Sequence, residues 1–465
     1  MGAEPGSRSL WAPRAWVQGR WQPAVRLSID AAGCWSGVSV GVAAGDGDLR
    51  LDGAVLPGLV DAHSHAFQRA FAGLAERREG EHDDFWSWRD RMYGVALAIT
   101  PEQLRAVAAQ LYVELLQGGY TQVCEFHYLQ HAADGARYAD PLAMSWALAD
   151  AAHEAGIGLT LLPALYERAG FAQPSLREDQ RRFAAGADAV RALRDGVRAA
   201  RRPLLDAGVA IHSLRAASPA SIARLLDAAG GLGEGPIHVH VAEQTAEVDD
   251  CLAATGLRPI EWLLQHAPLD ARWQLVHATH ATPAEIDAVA ACGAGVVLCP
   301  TTEADLGDGL PDLPRWLAAG VPLAIGSDSQ VGRDWPGELR LLEYGQRLLH
   351  RRRNVAAAPD QGEPSTAARL FERALAGGGA AAGQARWGLQ PGARADLLVI
   401  DAADPAQLGL PDANLLDALV FAPGSGRPFS DVMVAGRWAL RGGRHAQGEP
   451  IAAQAAAALH ALHSG

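Results

Sequence analysis

Short continuous apolar runs alternate with longer stretches rich in alanine and leucine between residues 57 and 386. Apolar runs without interleaved polar residues are typical of parallel strands that are covered by helices. The intervening stretches predict helices, for example at residues 101–117, 141–155 and 219–229. The apolar runs predict eight strands, at residues 60–63, 120–127, 158–165, 209–214, 236–242, 274–277, 295–298 and 322–326.

Eight strand–helix units in succession predict an α/β fold whose strands close into a (β/α)₈ TIM barrel. The chemistry of such a barrel lies at the carboxyl ends of its strands. The candidate functional residues below all fall at a predicted strand end or in the loop that follows it. Their common position supports the barrel.

The two terminal segments have a different pattern. Residues 24–30, 35–42 and 49–56 favour short strands, separated by Gly and Asp, and predict an antiparallel sheet. Residues 395–401 and 431–439 are two further strand-like runs, which we expect to complete the same sheet. A short helix is predicted at the C-terminal end, at residues 452–463. We therefore predict a small β domain from residues 1–56 and 387–465, and a barrel domain from residues 57–386.

Composition narrows the possible chemistry. The formal net charge of −13 opposes general nucleic-acid binding, which needs a basic surface. Apolar runs are too short to span a bilayer, and no basic amphipathic segment suggests a membrane surface. All 40 basic residues are Arg, so a P-loop lysine, a Schiff-base lysine and a metal-bridging carbamylated lysine are excluded. Five scattered cysteines without C-x-x-C spacing predict free thiols and a cytoplasmic location.

The first predicted barrel strand ends in His63-Ser64-His65. Side chains two apart on a strand share a face, so both imidazoles can point at one metal ion. Taken alone, such a pair is a weak signal, because two nearby histidines are more often surface or core residues than metal ligands. Its interpretation depends on what the later strands contribute.

Three later strand ends contribute the residue types that a metal site needs. The fifth strand carries His240, our predicted third ligand, followed by Glu243, a candidate general acid/base, while His238 is interpreted as a packed residue. The sixth strand ends at His277, which could be a fourth ligand or a hydrogen-bond partner of the metal's water. Asp328 ends the eighth strand, next to the first in a closed barrel, and is positioned to bind the same metal and to take a proton from its water.

Three histidines and a carboxylate suit one catalytic Zn²⁺ or Fe²⁺ ion with an open coordination position. Such an ion brings the pKa of a water molecule to about 7 and so generates a hydroxide nucleophile. Glu243 can then carry a proton to a leaving nitrogen. Five polar residues near strand ends are candidates for substrate binding, although each taken singly is equally compatible with a surface or packing role: Gln68, Arg89, Tyr128, His212 and Arg215.

These motifs resemble the amidohydrolase superfamily, in the family's order: PGLVDAHSH at residues 57–65, the H-x-x-E of His240 and Glu243, the isolated His277, and SDS around Asp328. The absence of a metal-bridging lysine, together with the presence of Glu243, is similar to the mononuclear deaminase branch of this superfamily. The resemblance implies zinc held by His63, His65, His240 and Asp328, catalysis by Glu243, His277 and Asp328, a β-sandwich as the small domain, and a homodimer.

Within that branch, the segments HSHAFQRAFAGLAE (63–76), FWSWRDRMY (85–93), TQVCEFHYLQ (121–130) and HSLRA (212–216) resemble enzymes of histidine degradation that hydrolyse N-formimino-L-glutamate to N-formyl-L-glutamate and ammonia. The resemblance implies that Gln68, Arg89, Tyr128, His212 and Arg215 line the pocket for this small anionic substrate. Arginine is suited to its two carboxylates. The alternatives are a deaminase of guanine, cytosine or an S-adenosyl compound, a binuclear hydrolase, and a non-catalytic barrel.

Overall fold

The computed structural model describes residues 8–78, 85–227, 235–407 and 409–464. Parts of three predictions lie outside these ranges: residues 1–7 of the N-terminal segment, residues 228 and 229 of one predicted helix, and residues 408 and 465 of the C-terminal segment.

Strands and helices alternate through the middle of the chain, and strands predominate at its two ends. In the described residues the strands are β1 (Arg8–Val17), β2 (Arg20–Ile29), β3 (Trp35–Ser39), β4 (Leu49–Arg50), β5 (Val55–Leu56), β6 (Leu59–Ser64), β7 (Tyr120–His127), β8 (Gly158–Leu165), β9 (Leu205–Ala207), β10 (Val209–Ile211), β11 (Ile237–Val241), β12 (Trp273–His277), β13 (Gly295–Leu298), β14 (Leu323–Ile325), β15 (Leu397–Ile400), β16 (Phe429–Val434), β17 (Arg437–Arg441) and β18 (Arg444–His445). The helices are α1 (Phe85–Ala98), α2 (Pro101–Gln117), α3 (Ala143–Ala155), α4 (Ala187–Ala199), α5 (Pro219–Leu226), α6 (Thr245–Thr255), α7 (Pro259–His266), α8 (Pro283–Cys292), α9 (Pro300–Leu306), α10 (Leu313–Ala319), α11 (Trp335–His350), α12 (Thr366–Ala381), α13 (Leu415–Phe421) and α14 (Gly448–Ser464).

Eight strands form the barrel in the order β6-β7-β8-β10-β11-β12-β13-β14. The short strand β9 is not part of this order and pairs with β8. Neighbouring barrel strands are parallel. A bridge between Ser64 and Asp328 joins the first and last strands. There the Asp328 amide donates to the His63 carbonyl at 2.9 Å, and the His65 amide donates to the Asp328 carbonyl at 3.2 Å. The predicted TIM barrel is confirmed.

Local sequence explains the helix boundaries that matter to the barrel. Helix α2 begins at Pro101, where the missing amide proton costs nothing, and Thr100 and Gln103 form a capping box. The predicted helix at 141–155 begins two residues later, because Asp140 and Pro141 form a turn in which the Asp140 carboxylate accepts from the Leu142 amide at 2.9 Å. The predicted helix at 219–229 ends at Leu226.

The chain termini build one mixed sheet, in the order β18-β17-β16-β15-β5-β1-β2-β3, with β4 beside β1. The predicted small β domain is confirmed as an element of the fold, and all its described strands belong to this single sheet. The prediction that the sheet is antiparallel was wrong for β1, which pairs in parallel with β4 and β5. Strand β1 was not predicted, because its apolar residues do not alternate with polar ones and Pro13 interrupts the run. It forms a hairpin with β2 through Gln18 and Gly19, both with positive φ.

The small sheet and the barrel share a hydrophobic core that includes Trp16, Leu398 and Phe429 from the sheet. The C-terminal helix α14 instead packs on barrel helix α2, and Ala458 lies in a separate cluster with Ala70 and Val107. The domain boundaries at residues 56 and 387 stay a prediction. All five cysteines are free thiols. None of the helices in the described ranges is long and apolar enough to cross a membrane.

Candidate active site

The predicted metal ligands converge at the carboxyl end of the barrel. His63 and His65 lie at the end of β6, His240 lies in β11, and Asp328 follows β14. His240 Nε2 is 3.0 Å from His63 Nε2. Asp328 Oδ1 is 3.4 Å from His63 Nε2 and 3.5 Å from His65 Nε2. These four side chains, separated by up to 265 positions in sequence, therefore surround one point.

Backbone carbonyls orient two of the imidazoles. His65 Nδ1 lies 2.8 Å from the Phe126 carbonyl, and His240 Nδ1 lies 2.8 Å from the His212 carbonyl. A ring nitrogen against a carbonyl must donate, so in the neutral rings Nε2 is left as an acceptor. Two such acceptors and the Asp328 carboxylate thus meet in a buried space. A divalent cation satisfies this donor set, so the residues fit a mononuclear metal site.

Burial keeps the imidazoles in the form that binds metal. Burial lowers the pKa of His63 to about 3 and the pKa of His240 well below its ordinary value. Burial also lowers the pKa of His65. In the opposite direction, the pKa of Asp328 is held below its usual range because the neighbouring histidines outweigh its burial. Neutral histidines and an anionic carboxylate are the states that metal binding requires.

His277 and Glu243 stand beside this cluster. His277 Nε2 is 3.7 Å from Glu243 Oε1 and 3.7 Å from Asp328 Oδ2, and its Nδ1 is 3.4 Å from Glu303 Oε1. Burial alone would lower the pKa of His277, but Glu243, Glu303 and Asp328 outweigh it and raise the pKa to about 10. Burial raises the pKa of Glu243 to about 7, although the charge of His277 opposes the rise. A buried cation therefore faces a carboxyl group poised to exchange protons near neutrality.

The five predicted substrate residues line the same pocket, together with His65, His240, Glu243, His277 and Asp328. His63 lies deeper, with no exposed surface. Gln68 Nε2 donates to the Tyr128 hydroxyl at 3.3 Å, and Gln68 Oε1 is buried without a hydrogen-bond partner. Arg89, in α1, lies 5.5 Å from the centre of the Tyr93 ring. The structure thus brings all eleven predicted site residues together, while their individual roles stay predictions.

Sequence reasoning missed several residues of the pocket. Tyr166 directly follows β8, so its place after a predicted strand end was a usable signal. Tyr93 and Gln180 lie in α1 and in the 3₁₀ turn Glu178–Phe183, where no strand-end pattern marks them. Glu303, which accepts from the Cys299 amide at 2.8 Å and approaches His277, was also missed.

A buried polar layer lies behind the ligands. The Asp61 carboxylate accepts from the Ser327 amide at 2.9 Å and from the Ser327 hydroxyl at 2.5 Å. The Glu125 carboxylate accepts from the Ser64 hydroxyl at 2.8 Å and from the Ala66 amide at 2.6 Å. These bonds hold the residues adjacent to His63, His65 and Asp328, and thereby fix the ligands themselves.

A (β/α)₈ barrel with buried histidine and carboxylate side chains clustered at the carboxyl ends of its strands is an arrangement that suits a hydrolase. The chain belongs to the amidohydrolase family, whose family model it matches over residues 54–439. The chain is similar to the formimidoylglutamate deiminase of Pseudomonas aeruginosa, with 48% identity over 451 residues, 96% of this chain and 97% of that protein. It is also similar to a 5-methylthioadenosine/S-adenosylhomocysteine deaminase of Natronomonas pharaonis, with 30% identity over 385 residues. The aligned region is 82% of this chain and 80% of that protein. The crystal structure of an amidohydrolase from Brucella melitensis has a TM-score of 0.92 at 43% identity, and covers 98% of this chain and 100% of that one.

The predicted family is therefore confirmed, and with it the prediction of an enzyme. The non-catalytic alternative is disfavoured, because every predicted ligand and Glu243 are present at one place in the fold.

Proposed function

We propose that this chain hydrolyses N-formimino-L-glutamate to N-formyl-L-glutamate and ammonia, a step of histidine degradation. The observation that carries the proposal is one pocket lined by His65, His240 and Asp328, by Glu243 and by two arginines, Arg89 and Arg215. His63 lies directly behind this lining, with its Nε2 3.0 Å from His240 Nε2. The similarity to the Pseudomonas aeruginosa formimidoylglutamate deiminase supports the same substrate. Two arginines suit a dicarboxylate, because guanidinium groups bind carboxylates with paired hydrogen bonds.

His63, His65, His240 and Asp328 would hold the metal, and we propose Zn²⁺, with Fe²⁺ as the alternative that this donor set also tolerates. When bound, such an ion acts as a Lewis acid and lowers the pKa of a water molecule. Zinc is supported by the neutral, buried imidazoles and the single carboxylate.

The chain's own residues would handle the protons. Water adds to the formimino carbon, Glu243 accepts a proton from it, and Glu243 then gives that proton to the imino nitrogen. The bond between this carbon and the former imino nitrogen then breaks as the second proton of the water passes from the new hydroxyl to that nitrogen. Ammonia leaves, and the carbon becomes the formyl carbonyl. Protonated His277 lies between Glu243 and Asp328, where it can donate a hydrogen bond to the attacking oxygen and stabilise its developing charge.

The pocket's hydrogen-bonding groups would orient the formimino group. Gln68 Oε1 is a buried acceptor without a partner among the described residues, which suits an N–H of the substrate. The Tyr128 hydroxyl accepts from Gln68 Nε2, so its own proton is available to a substrate acceptor. His212, whose ring stacks edge-on against Tyr166 with centroids 4.3 Å apart, would close this side of the pocket.

A second candidate is a deaminase of a ring substrate such as guanine, cytosine or an S-adenosyl compound. The aromatic lining of the pocket by Trp88, Tyr93, Tyr166 and Phe183 favours it, because aromatic faces can stack on a base. We further propose a cytoplasmic location, supported by the free thiols, and a homodimer, which rests on the family resemblance alone.

The proposal is tested by ammonia release from purified protein given N-formimino-L-glutamate, guanine, cytosine or S-adenosylhomocysteine in parallel. We expect release from the first. Arg89→Met and Arg215→Met should each lower kcat/KM for it by about 10- to 100-fold, the worth of a hydrogen bond to a charged group. Arg441→Met, on the remote strand β17, is the control and should leave kcat/KM unchanged. Release from a ring substrate alone, or unchanged kcat/KM in both pocket variants, would contradict the proposal.

A further inference from the structure

Two tyrosines and a glutamine form one hydrogen-bonded group on the pocket wall. Tyr93 comes from α1, Tyr166 from the end of β8, and Gln180 from the turn Glu178–Phe183. All three are buried, and all three line the pocket that contains the predicted metal ligands.

The hydrogen bonds within this group do not use every hydroxyl proton of the two tyrosines. Gln180 Nε2 donates to the Tyr93 hydroxyl at 3.2 Å and to the Tyr166 hydroxyl at 3.0 Å. Gln180 Oε1 accepts from the Arg177 amide at 3.1 Å, which fixes which end of the amide carries the hydrogens. Because Gln180 donates to both hydroxyl oxygens, neither tyrosine uses its own hydroxyl proton in its bond with Gln180. A hydrogen bond between the two hydroxyls can use only one of the two protons, so at least one O–H has no acceptor within the group. Both tyrosines line the pocket, where a ligand can supply that acceptor.

The group lies away from the metal ligands. The Tyr166 ring is 6.3 Å from the Tyr128 ring and 4.3 Å from the His212 ring. Those two rings in turn lie 5.1 Å from His65 and 5.1 Å from His240, so one ring separates Tyr166 from each of these ligands. Tyr93 is on the side of Arg89, whose guanidinium is 5.5 Å from the Tyr93 ring centre. A substrate whose reacting carbon lies at the metal ligands would therefore place its far end here. Hydroxyl donors beside an arginine are suited to a carboxylate.

We propose that Tyr93 and Tyr166, oriented by Gln180, bind the side-chain carboxylate of the substrate, the one remote from the formimino carbon. This inference rests on the proposed function and adds specificity residues to it. It explains why a buried pocket lined by aromatic rings can accept a dicarboxylate: the rings present hydroxyl protons rather than only their faces. It also assigns Gln180 as a positioning residue, because it decides which way the hydroxyl protons point.

The test compares two ligands of the zinc-loaded full chain by calorimetry: N-formyl-L-glutamate, and N-formyl-L-glutamine, in which the side-chain carboxylate is a neutral amide. In the Tyr93→Phe/Tyr166→Phe double variant, the Kd for N-formyl-L-glutamate should rise about tenfold or more, the effect of losing hydrogen bonds to a charged group. The Kd for the amide should change less than about twofold. In Gln180→Glu, whose carboxylate would accept the hydroxyl protons, the same selective loss is expected.

The matched control is Tyr120→Phe, which removes a buried tyrosine hydroxyl without a partner at the opposite end of the barrel. It should change neither Kd. Equal losses for both ligands in the pocket variants, or no loss for either, would overturn the inference. Ammonia release from N-formimino-L-glutamate by the wild-type chain is measured alongside: its absence contradicts the proposed function, whereas its presence with unchanged Kd values in the variants contradicts this inference alone.

Discussion

At the scale of single residues, the site is built on unfavourable backbone. His277 and Asp328 have φ values of 67° and 47°, in the left-handed region that non-glycine residues rarely adopt. Such conformations cost about 1–3 kcal/mol each and persist only where the surroundings dictate them. His277 is the last residue of β12, Asp328 lies three residues after β14, and both line the pocket. At Asp328 the hydrogen bonds of the barrel closure, made by its amide and its carbonyl, hold the backbone in this conformation.

Glu243 offers a direct test of proton handling. Glu243→Gln removes the exchangeable proton but keeps the size of the side chain, so we expect kcat to fall by about 10²- to 10⁴-fold, the usual contribution of general acid–base catalysis. Bound zinc, measured by elemental analysis, should stay near one per chain, because Glu243 is not among the proposed ligands. Glu372→Gln, on α12 outside the pocket, is the control. A variant with nearly normal kcat would assign the proton transfers to another group.

At the scale of elements, buried carboxylates tie helices to the barrel. Glu338, in the first turn of α11, accepts from the Thr301 amide at 2.9 Å and from the Thr301 hydroxyl at 2.6 Å, at the start of α9. Burial raises the pKa of Glu338 to about 8, despite these two hydrogen bonds. The folded chain therefore holds a proton there that the unfolded chain releases above its ordinary pKa of 4.5.

The extra proton that the folded chain holds at Glu338 makes folding stability depend on pH in one direction. Between pH 4.5 and 8 the unfolded state binds fewer protons, so the contribution of Glu338 to folding stability falls as pH rises and levels off above about 8. Glu338→Gln removes the dependence and can still pair with Thr301. We expect the variant to melt about 3 °C higher than the wild type at pH 8, with a smaller difference at pH 5. The exposed Glu102→Gln is the control; an equal Tm difference at both pH values would refute the linkage.

At the scale of the whole molecule, the proposed metal would join distant strands. Its ligands come from β6, β11 and the loop after β14, so one ion would cross-link the first, fifth and eighth strands and the barrel closure between β6 and β14. The small sheet contacts the barrel at the other end of its strands, where Trp335 of α11 stacks near Phe429 of β16 with ring centroids 5.9 Å apart. Metal binding and folding should therefore be coupled.

Removing the metal tests this coupling. Treatment with a chelator should lower Tm, by an amount equivalent to about 4 kcal/mol if the metal had been present at 1,000 times its Kd. One equivalent of Zn²⁺ per chain should restore both Tm and activity. In the Asp328→Ala variant, neither the chelator nor added Zn²⁺ should change Tm or activity. A requirement for two equivalents would favour the binuclear alternative, and an unchanged Tm would show that the ion does not brace the barrel.

The family and the barrel could be predicted because their signals are local. A buried parallel strand needs a continuous apolar run, and a metal-binding strand end needs a short motif such as His63-Ser64-His65. Both can be recognised without knowing what they touch. Strand β1 was missed because its local signal is weak: its apolar residues do not alternate with polar ones, and Pro13 interrupts the run. Its strand conformation depends on pairing with β2, which the local pattern does not show.

The sequence by itself thus determined the order of strands and helices, the eleven candidate site residues and the exclusion of lysine chemistry. Only the tertiary structure decided that Tyr93, Tyr166 and Gln180 share one pocket wall, that Glu303 lies against His277, and that backbone carbonyls orient His65 and His240. The physical reason is that periodicity specifies which face of an element is buried. Periodicity does not specify which loops come together at the carboxyl end of the barrel. Contacts such as those of the Tyr93 and Tyr166 hydroxyls with the Gln180 amide depend on barrel closure and on residues far apart in the chain.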